Sequence, residues 1–326
     1  MFLDLEKSPR SHTTLAMAVF LAGRTLNSIS EEATQIIKEI FPPAGEPEEQ
    51  SIAPVVRIGR AKKALALYQQ AADLAKSRLD RAVTSRNLGI AAEKLATFTA
   101  FQDRESIELI VYYFTLAAQA LLKALVSGCH AKGPEWQEGV RAKLSRLAED
   151  YMRYLVGRTD DWKIRVSKLD QLAAQLPTET RECREQGAPV LATIKLYELS
   201  ELVRVADAAL DDGEENGWMR AGSALAAANG PRVEAEQALA RAAALPRAVW
   251  ASTAERRDEL ELGWALARRR AEVAQHLALA ASERAAIFND EAFDVDRCWR
   301  IVDLLGTAMR QEIDIQQLFE GIQKKQ

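Results

Sequence analysis

The chain has 326 residues, room for two domains of ordinary size, and its 48% apolar fraction marks it as globular. Lys and Arg number 43 against 47 for Asp and Glu, a net charge of -4, whereas a nucleic-acid binder carries a basic excess; no nucleic-acid partner is expected. Cys129, Cys183 and Cys298 are odd in number and form no C-x-x-C pair, which suits a reducing compartment, and the N-terminal apolar run Leu15 to Ala22 is too short to span a bilayer. A cytoplasmic protein without a transmembrane segment is expected.

Glycine and proline are sparse, 16 and 10, so the intervals between them read as helices. The first runs from about Thr13 to Ile40, and Ser28 followed by Glu31 has the form of a capping box that would start a second helix near Asn27. Phe41 to Ser51, with three prolines, reads as an exposed acidic loop. Ile58 to Leu79 and Leu88 to Phe101 each carry an apolar stripe at helical spacing.

The strongest pattern lies from Glu105 to Leu155. Ile107, Ile110, Val111, Phe114, Ala118, Leu121, Leu122 and Leu125 form one stripe, and Val140, Leu144, Leu147, Tyr151, Tyr154 and Leu155 form another. The short link from His130 to Glu135 makes them an antiparallel hairpin. Gly157 to Asp161 is polar and is taken as the boundary between halves, residues 1–158 and 159–326.

Beyond it, helices are expected over Trp162 to Leu176 and Ala188 to Leu210. Another runs from Trp218 to Ala228 and stops at Asn229-Gly230-Pro231, with Pro231 opening the next helix to Leu245. Ser252 to Phe288 carries two apolar stripes, Leu260, Trp264, Ala267, Ala271, Ala278 and Ala285 beside Leu262, Leu266, Val273, Leu277 and Ile287, as if sandwiched between neighbours. Asp294 to Ile322 closes the chain. No run alternates as a strand does, so the fold is expected to be all-α, with roughly ten helices in antiparallel hairpins and three-helix bundles.

Chemistry is thinly represented. His12, His130 and His276 have no second histidine at i+3 or i+4, and Cys129 beside His130 reads as an ordinary helix end. Arg268 to Arg270 reads as a solvated helix flank rather than an anion site, and the acidic turn Asp211 to Gly217 lacks calcium-loop spacing. The six tryptophans are assigned to core packing. An enzyme of this fold needs convergent buried carboxylates, and Glu182, Cys183 and Glu185 do not supply them. Neither enzymatic activity nor a cofactor is expected.

Two places carry a familiar phrase. Ala64-Leu65-Ala66-Leu67-Tyr68 followed by Ala71-Ala72, and Ile110-Val111-Tyr112-Tyr113-Phe114 followed by Ala117-Ala118, resemble the second helix of the microtubule-interacting and trafficking (MIT) domain. Val140-Arg141-Ala142-Lys143 is similar to the start of its third helix, and Ala91-Ala92-Glu93-Lys94-Leu95 is a fainter match closing the earlier copy. Beyond Lys143 the pattern departs, with Arg146-Leu147-Ala148 where the family has Glu-Tyr-Leu.

The resemblance implies a tandem pair of such modules over about residues 13 to 156 and a role as a protein adaptor. Its partners would be short amphipathic helical segments of ESCRT-III-like trafficking or autophagy proteins, through which it would reach endosomal or autophagic membranes. In that reading Ala117 and Ala118 let a peptide helix approach, while Lys143, Arg146 and Arg153 pair with its acidic positions. The alternative is a structural subunit of a large cytoskeletal or ciliary assembly, its alanine-rich faces buried against neighbours.

Overall fold

The computed structural model describes residues 25–42, 52–100, 107–128, 131–212, 216–289 and 294–323. These form ten α-helices and one short 3-10 turn: α1 Leu26–Ile40, α2 Pro54–Leu74, α3 Arg78–Ala100, α4 Ile107–Gly128, α5 Pro134–Arg158, α6 Trp162–Ala174, α7 Arg181–Asp211, α8 Gly217–Ala242, the turn Arg247–Val249, α9 Ala251–Asn289 and α10 Val295–Gln323. The fold is all-α, and the described residues contain no strand. They divide into two compact units, Met1–Val140 and Arg141–Gln326, so the division falls inside α5 rather than at the polar stretch that follows it.

In the first unit α1, α2 and α3 pack on one another, and α3 runs along α4. Tyr68 of α2 is buried and its hydroxyl shares a 2.9 Å hydrogen bond with Thr34 Oγ1 of α1, so the helix pair buries a polar atom without leaving it unsatisfied. Arg60–Glu39 and Lys63–Glu32 ion pairs flank the same seam. Helix α4 is apolar nearly all round because Ile110, Val111, Phe114, Leu121, Leu122 and Leu125 are all buried. It is the one described helix long and apolar enough to cross a membrane, and most of it is buried within the chain. At its end, the amides of Ala131 and Lys132 both donate to Gly128 O, and the Trp136 ring lies over Gly128 so closely that a Cβ there would stand 2.5 Å from Trp136 Cζ3. The stripe predicted for α5, from Val140 to Leu155, is buried.

In the second unit α7 is central: α6, α8 and α9 all pack on it, and α10 packs on α9. The seam is alanine: Ala206 and Ala209 of α7, Ala221, Ala224, Ala228 and Ala235 of α8, and Ala267 and Ala271 of α9 share one core with Leu196, Leu199 and Leu202. Small side chains let helix axes draw close.

Several helix boundaries differ from expectation, each for a local reason. The first described helix is capped by Thr25, which accepts from the Ser28 amide, and not by Ser28 itself. Helix α3 starts at Arg78 because the Ser77 hydroxyl accepts from the Asp80 amide at 3.0 Å, which gives Leu79 to a new helix rather than to the end of α2. Helix α7 starts seven residues before Ala188, capped by Thr180 on the Cys183 amide, and carries Pro189 inside it. Helix α8 runs unbroken through Pro231. Proline removes one backbone bond and crowds the residue before it, but that residue is Gly230, which has no Cβ to crowd. Buried Ala228, Ala235, Ala238 and Leu239 then anchor both sides of the proline. The expected helix upstream of Thr25, the acidic loop from Pro43, Cys129 and His130 lie outside the described residues.

Gly217 opens α8 against the backbone of α7; a Cβ there would lie 2.2 Å from Ala209 O, a carbonyl with no side chain to swing aside. Gly217→Ala is therefore expected to destabilise the protein by about 1–3 kcal/mol. Gly222→Ala on the same helix meets nothing within 4 Å and should stabilise by roughly 0.5–1 kcal/mol through helix propensity alone. Urea unfolding of the two variants against the parent measures both signs.

Candidate functional site

The five residues expected to receive a partner helix do not form one open surface. Ala117 and Ala118 are 0% and 2% exposed, embedded in α4. The packing beside them is too tight for an added helix: at Gly89 of α3 a Cβ would come within 2.6 Å of Leu121 Cγ, so the chain's own helix occupies the approach that small residues create. Lys143 is half-buried, while Arg146 and Arg153 are exposed, Arg153 pairing with Asp150 at 3.0 Å one turn away. The alanines belong to the first compact unit and the three cations to the second.

An open groove does exist between α8 and α9. Helix α8 contributes Trp218, Gly222 and Ala226 in one row and Met219 and Ser223 beside it; α9 contributes Trp264, Arg268, Ala271 and Gln275. The i, i+4 spacing of each set brings it to one face of its helix. The cleft measures about 940 Å³. Its floor is pinned where Trp264 Nε1 donates to Leu225 O at 3.4 Å.

Two guanidinium groups and the Glu272 carboxylate stand at the groove. Arg232 lies 4.7 Å and Arg268 5.6 Å from the Trp264 ring centroid, so one indole carries two guanidinium groups. Each is already paired with a carboxylate, Arg232 with Glu261 and Arg268 with Glu272, both at 3.1 Å, yet the buried Arg232 Nε has no hydrogen-bond partner among the described residues. Across the α8 ridge a second cleft of about 630 Å³ is lined by Trp162, Lys163, Arg204, Met219 and Arg220 among others. Met219 is 46% exposed and borders both clefts, a flexible apolar side chain able to follow the shape of whatever enters.

The same unit holds a partly buried charge network that no apolar stripe singled out. Lys195 Nζ donates to Asp170 at 2.7 Å, Glu234 at 3.0 Å and Glu198 at 3.1 Å, tying α6, α7 and α8 together. Burial opposes its charge, but the three carboxylates outweigh that and its pKa is raised. Burial pushes the Glu198 carboxyl up to about 7 against the pull of Lys195, and Glu198 Oε1 has no partner among the described residues. One turn on, Arg165 reaches from α6 to Glu201 through Nε at 2.9 Å and Nη2 at 2.7 Å, with both side chains buried.

Of the three carboxylates that share Lys195 only Glu198 is buried; Asp170 and Glu234 are more than half exposed. Among the described residues no cluster of His, Cys, Asp or Glu is arranged to hold a metal ion. The signal was readable: Lys195, Glu198 and Glu201 recur at i, i+3 and i+6 within an otherwise apolar stretch of α7.

The tryptophans and arginines also sort themselves. Trp299 is 67% exposed, contrary to its assignment to the core. Arg268 and Arg269 pair with Glu272 on the helix surface as a solvated flank should, but Arg270 bridges to Asp207 and Asp211 of α7. No known protein family, curated protein or solved structure matches this chain.

Two outcomes are expected from the charge network. Glu198 binds its proton more tightly in the folded chain, about 7 against 4.5, so its contribution to stability is greatest below about pH 4.5 and declines as pH rises towards 7. The thermal midpoint should fall across that interval, and Glu198→Gln should flatten the decline. Arg204 also pairs with Glu201, at 3.1 Å, so Arg165→Ala leaves the buried carboxylate one cation of two and is expected to cost about 1.5–3 kcal/mol, whereas Arg165→Ala/Glu201→Leu, which removes the buried carboxylate as well, should recover much of it.

Proposed function

We propose that this chain is a non-enzymatic helical adaptor, acting in the cytoplasm, that holds amphipathic helical segments of partner proteins in an inter-helix groove. The observation that carries the reading is the α8–α9 groove, where Gly222, Ser223 and Ala226 let a helix approach, Trp218, Met219 and Trp264 offer apolar contact, and Arg232 and Arg268 offer positive charge. A fitting occupant is a helix with an apolar stripe edged by glutamate or aspartate. The partner class follows from the MIT resemblance: ESCRT-III-like or autophagy proteins, through which the adaptor reaches endosomal or autophagic membranes. Support for that class comes from the mutual packing of α1, α2 and α3, which bear the phrases around Tyr68 and Leu95. No cofactor and no nucleic acid enter this reading.

One observation favours the alternative, a structural subunit of a cytoskeletal or ciliary assembly: the apolar outer face of α10, where Trp299, Val302, Met309 and Ile313 are all more than half exposed.

The test is a titration of the full chain with synthetic helical tails of ESCRT-III-like proteins and with a control peptide of the same apolar stripe edged by lysines, read by tryptophan fluorescence. Acidic-edged tails should bind and the control should not. Arg232→Glu/Arg268→Glu should weaken binding by about tenfold or more while the circular dichroism stays helical. A loss confined to Lys143→Glu/Arg146→Glu would move the site to α5, and equal binding of both peptide classes would overturn the charge-matched groove.

A further inference from the structure

Helix α6 docks on α7 through little apolar surface and two charged links. Of its 13 residues Arg165, Leu169 and Leu172 are buried, and Trp162 and Val166 add partial contacts with the core. A helix of that length does not persist unsupported in water, so its order depends on this docking. The links fix its course: Arg165 reaches Glu201 at 2.7 Å and, five residues on, Asp170 reaches Lys195 at 2.7 Å. One index rises as the other falls, so α6 runs antiparallel to α7 and Glu198 stands between the two links. At about 100° per residue Glu198 also lies between Lys195 and Glu201 around α7, so the stretch from Val166 to Leu169 passes over it.

Glu198 is 2% exposed; its Oε2 accepts from Lys195 at 3.1 Å and its Oε1 has no partner among the described residues. An ionised carboxylate is poorly supported there, because Lys195 divides its three N–H groups among Glu198, Asp170 and Glu234. A protonated carboxyl costs less to bury, and lifting α6 lets water reach the ionised form.

We propose that α6 is a proton-sensitive strap, closed over α7 while Glu198 carries a proton and loosened when Glu198 ionises. The direction follows from burial. Desolvation pushes the Glu198 carboxyl up to about 7 against the pull of Lys195, with Asp170 and Glu234 adding to the rise, whereas a hydrated carboxyl titrates near 4.5. The closed form therefore binds the proton more tightly, and closure has its full support below about pH 4.5 and loses it as pH rises through 7. The charged groups acting on Glu198 are Lys195 on α7, Asp170 on α6 and Glu234 on α8. Helix α9 meets α7 on another side, where Arg256 covers the Tyr197 ring and Arg270 pairs with Asp207. From α5 the Tyr151 hydroxyl donates to Lys168 O at 3.0 Å, a link that carries no charge. Because Trp162 and Lys163 of α6 wall the second cleft, loosening the strap opens that cleft. The inference does not rest on the adaptor reading.

The test is amide hydrogen exchange on the full chain at pH 6 and pH 8, read by mass spectrometry and corrected for intrinsic exchange rates. Peptides from residues 162–174 should be less protected than those from residues 260–275 of α9 at both pH values, and their exchange should not respond to low urea, as the opening of one helix requires. Between pH 6 and pH 8 their protection should fall about tenfold, the ratio set by a proton site near 7 when closed and 4.5 when open. In Glu198→Gln, neutral at both pH values, the fall should vanish. Protection of α6 equal to that of α9, protection of α6 unchanged between the two pH values, or a fall that persists in Glu198→Gln would each overturn the proposal.

Discussion

Close approach between alanine-faced helices is the constraint on which each unit depends. Where α7 meets α8 the contact residues are Ala206, Ala209, Ala221, Ala224 and Ala228, and where α3 meets α4 a glycine at position 89 admits Leu121. Alanine buries little area per residue, so such a core gains stability from the number and intimacy of contacts more than from large side chains. A chain with 6% aromatic residues has few other ways to fill its interior. The consequence is intolerance: added volume at Gly89 or Gly217 has nowhere to go.

The same closeness accounts for the charges inside the second unit. Helix α7 is contacted by α6, α8 and α9, so a polar residue on almost any of its faces meets another helix and must find its counter-charge there. Lys195 finds three carboxylates on α6, α7 and α8, and Glu201 finds Arg165 on α6. Such groups add little net stability over apolar ones of like shape, but they tolerate one arrangement only, since a slipped helix would strand a buried charge. In an alanine seam, where one smooth face resembles the next, that selectivity is a physical reason for retaining them.

What the amino-acid sequence disclosed follows from this. Helical period and the sparse glycines and prolines made the all-α class legible, because each stripe is a local property. Helix ends were legible only where one residue decides them; Pro231 suggested a start that burial on either side overrode. The candidate site was least legible. Ala117 and Ala118 looked like an approach for a partner because small residues permit one, but sequence does not say whose helix arrives, and here the chain itself covers them. The groove that is open draws Trp218 and Arg268 from segments fifty residues apart, and no local pattern joins them.

An adaptor needs surfaces its own fold leaves uncovered, and the order of packing explains where they fall. Helix α7 lies inside the second unit's core and the inward alanines of α8 are consumed there, while Gly222, Ser223 and Ala226 of α8 stay open. Helix α9 packs on both and still has α10 to cover part of what remains. Its second predicted stripe is not closed over: Leu262 and Leu277 are exposed, which corrects the expectation of a helix sandwiched on both sides. Helix α10 packs on α9, and its outer apolar face is left exposed among the described residues. The apolar residues there, Val295, Trp299, Val302, Met309 and Ile313, are each more than half exposed. Among the described residues no helix covers that face, so it is the part of the unit whose packing the described helices leave incomplete.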